Sequence, residues 1–334
     1  MNRRAKGHAA MVSLSALGIL SAVWAGAQTA ERKLPPKTGV QTAGVQHAMD
    51  GLTPIATFVV KGDPDWMAVT PNAIWVVSSN VNHVVRLDAR TNQPGTIVSV
   101  AEPCSGLAVG FGSLWIPSCG EQKLVRVDAE TGALQATIAA GPADAEGGIA
   151  VGAGSIWMVT SKDGDLARID PGTNKVIAHI RLPVGSFNPA FLKGSLWVTS
   201  NTGGTLVRVE PTTNKVVSET PVGSKPRFLT VGAGSIWVLN QGDGTVARVN
   251  ASTGNRTALI AAGIPGLGGE ITFGDGAVWA SVFSYPITRI DPATNTVSGQ
   301  WHGAGGDSIR IGHGSMWLTS LRGEKVWRLP VPRK

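Results

Sequence analysis

Short apolar runs alternate with glycine-containing turns along most of the chain, and the same arrangement returns about every 40 residues. Trp75, Trp115, Trp157, Trp197, Trp237, Trp279 and Trp317 are spaced by 40, 42, 40, 40, 42 and 38. Arg86, Arg126, Arg168, Arg208, Arg248, Arg289 and Arg328 keep step with them. The offset is 11 in six copies and 10 in the copy holding Trp279. Two series in register across seven copies mark one supersecondary unit repeated in tandem. In one copy, residues 105–110 (SGLAVG) predict a strand, Phe111-Gly112 a tight turn, and 113–118 (SLWIPS) a second strand. A loop at Gly120-Glu121 leads into 123–128 (KLVRVD), whose period-two alternation predicts a third. Asp128 opens a turn in which its carboxylate accepts backbone amides, and 134–138 (LQATI) is the fourth strand. Four antiparallel strands per repeat describe the blade of a β-propeller.

The seventh copy ends after Trp327-Arg328-Leu329 with three strands, while 55–60 (IATFVV) supply a spare one at the other end. The predicted fold is therefore all-β: a seven-bladed β-propeller, four antiparallel strands per blade, spanning 51–330 as a single domain. Its ring closes when the N-terminal strand, through Ile55 and Phe58 or Val59, completes the last blade. A two-residue turn at Phe111-Gly112 places Trp115 opposite Ala108, with Ala68, Ala150 and Ala190 in matching positions. Blades five to seven carry Thr230, Thr272 and Arg310 there instead. The same register puts Cys104 opposite Cys119, within reach of a cross-strand disulfide; a reactive redox pair is the alternative. Each repeated Arg is expected to meet the Asp two residues on, as in Arg86/Asp88, Arg168/Asp170 and Arg289/Asp291. Sevenfold recurrence makes that a packing device rather than a set of catalytic pairs.

Composition narrows the picture without naming a chemistry. Charged residues are 15% of the chain, too few for a helical bundle, and 43 Gly with 20 Pro suit many tight turns. Arg3, Arg4 and Lys6 precede an apolar run over 9–25 and a small-x-small triplet at Ala25-Gly26-Ala27. Residues 1–27 thus predict a signal peptide, with a retained anchor as the alternative, and 28–50 a flexible leader. Removing 1–27 lowers the net charge from +7 to +4, scattered along the chain, which argues against nucleic-acid binding. The expectation is a monomer, secreted or periplasmic, without membrane contact once the signal is cleaved.

The Gly-x-Gly-Ser-(Leu/Ile)-Trp units and the turns DPGTN (170–174) and DPATN (291–295) resemble the seven-bladed YVTN-type and streptogramin-lyase-like propeller families over about 52–330. The lyase branch, named for virginiamycin B, implies opening of a cyclic depsipeptide by elimination. It uses a divalent metal held near a His and a Glu-x-His pair. The matching acid here is Glu270, but the residue two beyond is Thr272, and the earlier His position is Thr230. A neutral threonine cannot act as general base near neutral pH. The six His, at 8, 47, 83, 179, 302 and 313, form no metal-spaced pair.

Residues that break the sevenfold pattern gather in loops at one mouth of the channel. Trp66, Glu146, Arg227, Asn240, Glu270, Tyr285, Asp307 and Arg310 are the candidates for holding a small polar ligand, a peptide or a protein. The expected function is a ligand-binding or interaction scaffold without catalysis and without a cofactor. The alternative is a metal-assisted lyase or hydrolase in which Glu270, Glu146 and Asp307, with Asn188 and Asn240, ligate magnesium or calcium. A solvated rim, or a salt-bridge network plugging the channel, would account for the same residues.

Overall fold

Six of the seven innermost hairpins turn on a residue–glycine pair in which both φ angles are positive, from Phe111 (57°) and Gly112 (70°) to His313 (53°) and Gly314 (66°). This is the backbone that matches strand twist, and glycine enters its second position without strain. The computed structural model describes residues 34–333; the expected signal peptide at 1–27 lies outside them. Blades one to six comprise residues 64–99, 108–138, 149–181, 186–221, 226–261 and 270–303. Blade seven combines 309–330 with Ala56–Val59, which pairs antiparallel with Lys325–Pro330 and closes the ring. Phe58 is the buried residue of that strand, while Ile55 and Val59 face outward. Among the described residues no helix is long and apolar enough to cross a membrane.

Each repeated Trp is fully buried and lies opposite the expected partner, Ala68, Ala108, Ala150, Ala190, Thr230, Thr272 or Arg310 in turn. In five blades the indole N–H donates to a glycine carbonyl five residues back, as from Trp157 to Gly152 at 2.9 Å. Those glycines also admit the next blade. A Cβ on Gly152 would fall 2.0 Å from Phe191, and one on Gly312 2.8 Å from Val69 across the ring seam.

The repeated Arg departs from its expected partner. Arg86 bonds the Asp two residues on, at 3.3 Å, whereas Arg168 turns to other partners. Arg126, Arg168, Arg248 and Arg328 lie over their own Trp and reach the outer turn of the following blade. There they donate to a carbonyl and to Asn174, Asn214, Asn295 and Asn92 respectively. The Asp carboxylates instead accept backbone amides of their own turns, as Asp128 does from Glu130 and Thr131.

Cys104 and Cys119 are bridged, with a Cα–Cα distance of 5.8 Å. The ladder slips on the way: Ala108 faces Trp115, but Pro103 faces Ser118, and Ser105 at φ 68° absorbs the difference. The leader expected over 28–50 also differs where it is described. Gln46–Ala48 adds a fifth, parallel strand to blade six. Ahead of it, the Gly39 and Val40 amides donate to Gly263 O and Gln300 Oε1. Few bulky residues were needed, because backbone groups make the attachment.

Candidate functional site

The innermost strands bring two residue columns to the channel. Nine residues before each repeated Trp stand Trp66, Gly106, Gly148, Asn188, Phe228, Glu270 and Ser308. One residue earlier stand Asp65, Ser105, Gly147, Phe187, Arg227, Gly269 and Asp307. Neither column repeats, in contrast to the Trp and Arg columns behind them. Trp66 of blade one and Phe228 of blade five meet edge to face across the ring, centroids 5.6 Å apart. Both are buried, so the channel is filled at this level. Glycine at 106 and 148 makes the room: Gly106 lies flat against the Trp66 ring, and a Cβ on Gly148 would strike Asn188 at 2.5 Å. Asn188 stitches blades three and five, donating to Glu146 O at 3.0 Å and Arg227 O at 2.9 Å.

Residues of all seven blades wall a cavity of about 200 Å³ around this layer, among them Trp66, Phe228, Thr230, Glu270, Thr272 and Arg310. Glu270 is buried and fully engaged. Its two carboxylate oxygens take Arg310 on one side and the Ser308 hydroxyl and Ile309 N–H on the other. Burial pushes its carboxyl above the ordinary value, and Arg310 counters only part of that. The Trp66 indole N–H, by contrast, is buried with no partner, as is the Ser105 hydroxyl.

At the mouth the carboxyls crowd. Asp307 is buried and accepts the Gly269 N–H at 2.6 Å. Asp65 hydrogen-bonds to Asp307, and its carboxyl is held well above the usual range by desolvation, then by the charges of Asp307, Glu146 and Glu270. The two carboxyls therefore titrate as one coupled pair. Burial also raises Asp307. Glu146 is pushed to about 7, first by burial and next by Asp307, with Arg227 opposing. Arg227 itself stacks on Phe187 at 3.8 Å and pairs with Asp144 at 2.6 Å, which Lys162 also contacts at 3.2 Å. Burial alone would raise the Asp144 carboxyl, but the Glu146 N–H, Arg227 and Lys162 together bring it below its ordinary value.

Six of the eight candidates therefore converge: Trp66, Glu146, Arg227, Glu270, Asp307 and Arg310. Two do not. Asn240 is buried between blades four and five, donating to Val222 O and Thr245. Tyr285 sits at the outer half of blade six, beside His302 and the Gly39 segment. Each interrupts a loop pattern in the sequence, and neither walls the cavity. Phe228 and Ser105 join them in the two columns, and Asp144 joins through Arg227. Reading the column nine residues before each Trp would have paired Phe228 with Trp66.

The metal of the lyase family does not fit these residues. The cavity wall offers the hydroxyls of Thr230 and Thr272 and no imidazole, and Glu270 is already paired with Arg310. Among the described residues no group of three or more His, Cys, Asp or Glu is arranged to hold a metal ion.

Comparison with known proteins agrees with the fold. Residues 117–257 match a family described as a repeat of unknown function. A streptogramin B lyase structure superposes with a TM-score of 0.67 at 20% identity, covering 82% of this chain and 95% of that one. A catalytically inactive virginiamycin B lyase from Staphylococcus aureus with quinupristin gives 0.72 at 17%, covering 84% and 99%. BamB from Moraxella catarrhalis gives 0.60 at 13%, covering 85% and 98%. No curated protein sequence matches significantly. At these identities the likeness is one of architecture.

Proposed function

We propose that this chain is an exported, monomeric, non-catalytic propeller that receives a small polar ligand at the mouth of its channel. One observation carries the reading. Trp66, Asn188, Phe228, Glu270 and Arg310, which break the sevenfold pattern, wall one cavity to which every blade contributes, while the repeating Trp positions are consumed by packing. Asymmetry at the axis of a symmetric scaffold is what a specific site requires. The Cys104–Cys119 bridge suits an oxidising compartment and so supports a secreted or periplasmic location. Absence of the lyase imidazoles at Thr230 and Thr272 argues for binding over elimination.

A small-molecule screen by thermal shift tests this, with the Trp66→Phe and Glu270→Gln variants as controls. Hits on the wild type that weaken in folded variants support the channel site. Hits unaffected by either variant place the site elsewhere. Metal analysis of the dialysed protein supplies the contrast: one retained divalent ion per chain favours the metal-assisted reading.

A further inference from the structure

The link from a repeated Arg to the following blade cannot be made at blade six. Arg126, Arg168 and Arg248 end on two oxygens of the next outer turn, a backbone carbonyl and an Asn side chain, at 2.5–2.9 Å. The blade after Arg289 is the seventh, whose fourth strand is Ala56–Val59 from the other end of the chain. No turn joins its third strand to its fourth, so the place where those two oxygens would sit is vacated. Ala277 also stands where other blades have the Ser that receives the Arg Nε. Arg289 instead donates from Nη1 to Ser298 of its own blade at 2.6 Å.

The vacated place is open. Arg289 and Trp301 of blade six, His47, Asp50 and Leu52 of the N-terminal attachment, and Arg333 after the last strand wall a cavity of about 590 Å³. That volume is within the span of small-molecule sites. Its wall carries two guanidinium groups against one carboxylate, Asp50.

A second departure from the repeat lies in the same wall. Opposite the repeated Arg, the outer strands of blades two to five carry Ala136, Ala178, Ser218 and Ala258, and two residues on Ile138, Ile180, Thr220 and Ile260. Blade six carries Gly299 and Trp301 instead. A Cβ on Gly299 would fall 2.8 Å from Trp301 Cη2 and 3.9 Å from Arg289 Cβ. The glycine therefore lets the indole lie beside the stem of Arg289. His47 leans on the same indole, ring centroids 5.1 Å apart.

We propose that this cavity is a second ligand site and takes an aromatic monocarboxylate. It shares no wall residue with the channel cavity, and the inference goes beyond the function proposed for the channel. The two carboxylate oxygens replace the carbonyl and Asn oxygens that other blades present to the guanidinium, with charge assistance added. Arg333 brings the second cation. The Trp301 and His47 rings and Leu52 give the flat apolar body its surface. Asp50 disfavours a ligand with a second anionic group.

The experiment is calorimetry on the wild-type protein with four probes: phenylacetate, 2-phenylethanol, 2-phenylethylamine and acetate. Phenylacetate should bind about tenfold tighter than the alcohol, because a charge-assisted bond replaces a neutral one. It should exceed acetate by about tenfold through the buried ring. The amine should be the weakest aromatic probe. Arg289→Gln and Arg333→Gln should each cut the margin over the alcohol to about threefold or less. Gly299→Ala/Trp301→Ile, which restores the pair found at Ala178 and Ile180, should bring phenylacetate close to acetate. Equal wild-type affinity for phenylacetate and the alcohol overturns the carboxylate class. Phenylacetate binding untouched by both Arg variants overturns the location, and no phenylacetate binding overturns the proposal outright. The channel reading stands in each of these cases. Arg333 is exposed and follows the last strand, so Arg333→Gln keeps the test decisive even where a blade-six variant fails to fold.

Discussion

Arg328 in the last blade donates to Asn92 in the first at 2.7 Å, closing with a side chain the seam that Ala56–Val59 closes with backbone. The same link joins blades two to three, three to four, and five to six. Each acceptor Asn is in the left-handed region, with φ between 54° and 58°, which a short polar side chain tolerates. Blades two and five carry Gly132 and Gly254 at that turn position. Arg208, facing the Gly254 turn, bonds only Ser195 in its own blade among the described residues. One residue type thus sets both the turn and the inter-blade strut.

Lysine replaces the guanidinium fork by a point charge and cannot serve two acceptors and a ring together. Arg328→Lys should therefore cost about 2 kcal/mol, and Arg208→Lys less than about 1 kcal/mol, in urea unfolding. Equal losses would show that stacking on Trp, common to both, carries the effect.

Blade one lacks a further part of the device. In blades two to five and in blade seven the Arg Nε donates to a Ser, as Arg126 does to Ser113 at 2.8 Å. Blade one has Ala73 at this position, and the Arg86 Nε is buried without a partner. Ala73→Ser should stabilise the protein by about 1 kcal/mol. A melting temperature at or below that of the wild type would show that the hydroxyl does not reach Nε.

The blades were legible in the sequence because Trp and Arg recur in step between strand-length apolar runs and glycine turns. The disulfide followed from the same register, even though the ladder slips before Cys104. The struts were not legible as bonds, because Arg126 reaches Asn174 across 48 positions and only three-dimensional stacking of blades joins them. The attachment of residues 39–48 was hidden for a related reason: its partners are backbone groups and one buried amide, Gln300, which leave no hydrophobic pattern. At the channel the irregular residues were visible, but not which loops face the axis. That distinction separated Glu270 and Asp307 from Asn240 and Tyr285.

Removing residues 28–50 should now matter. The deletion takes away the parallel strand Gln46–Ala48 and uncovers the buried Gln300 amide, whose Oε1 loses the Val40 N–H. A loss of about 1–3 kcal/mol is expected, with folding retained. Extending the deletion to 62 removes Ala56–Val59 and exposes Phe58's site against Trp317, so the ring should not close. Indistinguishable melts for the two truncations would remove the closure scheme.

Acid–base behaviour at the mouth has a definite sign. Glu146 titrates near 7 in the fold and near its ordinary value when unfolded, so the folded state binds more protons between those limits. Stability from this group is therefore highest below the unfolded value and falls as pH rises through 7. Asp65, Glu270 and Asp307 are raised as well and push the same way, with the Arg227, Arg310 and Lys162 side chains facing the cluster. Asp144, held down, contributes the opposite slope only in acid. Glu146→Gln should match the wild type at about pH 5 and exceed it at about pH 8 in urea midpoint. Parallel profiles from pH 5 to 8 would show that Glu146 is not the titrating group.

The Glu270–Arg310 pair separates a plug from a site. Glu270 is almost fully buried and Arg310 largely so, and the carboxylate also takes Ser308 and the Ile309 amide. Removing one partner of such a pair strands the other charge, which costs about 3–5 kcal/mol, whereas removing both restores neutrality. Blades five and six show what a neutral position 310 looks like, since Thr230 and Thr272 occupy it against the same Trp. Arg310→Thr alone should therefore destabilise strongly, and Glu270→Gln alone likewise. The double variant should recover most of the loss, giving a coupling energy of about 2–3 kcal/mol in a double-mutant cycle. If the pair is only a plug, the double variant binds ligand as the wild type does. If it walls the site, the double variant folds yet binds measurably less, because the cavity loses its polar floor. Additive single losses, with no recovery in the double, would mean that the two side chains act on stability independently.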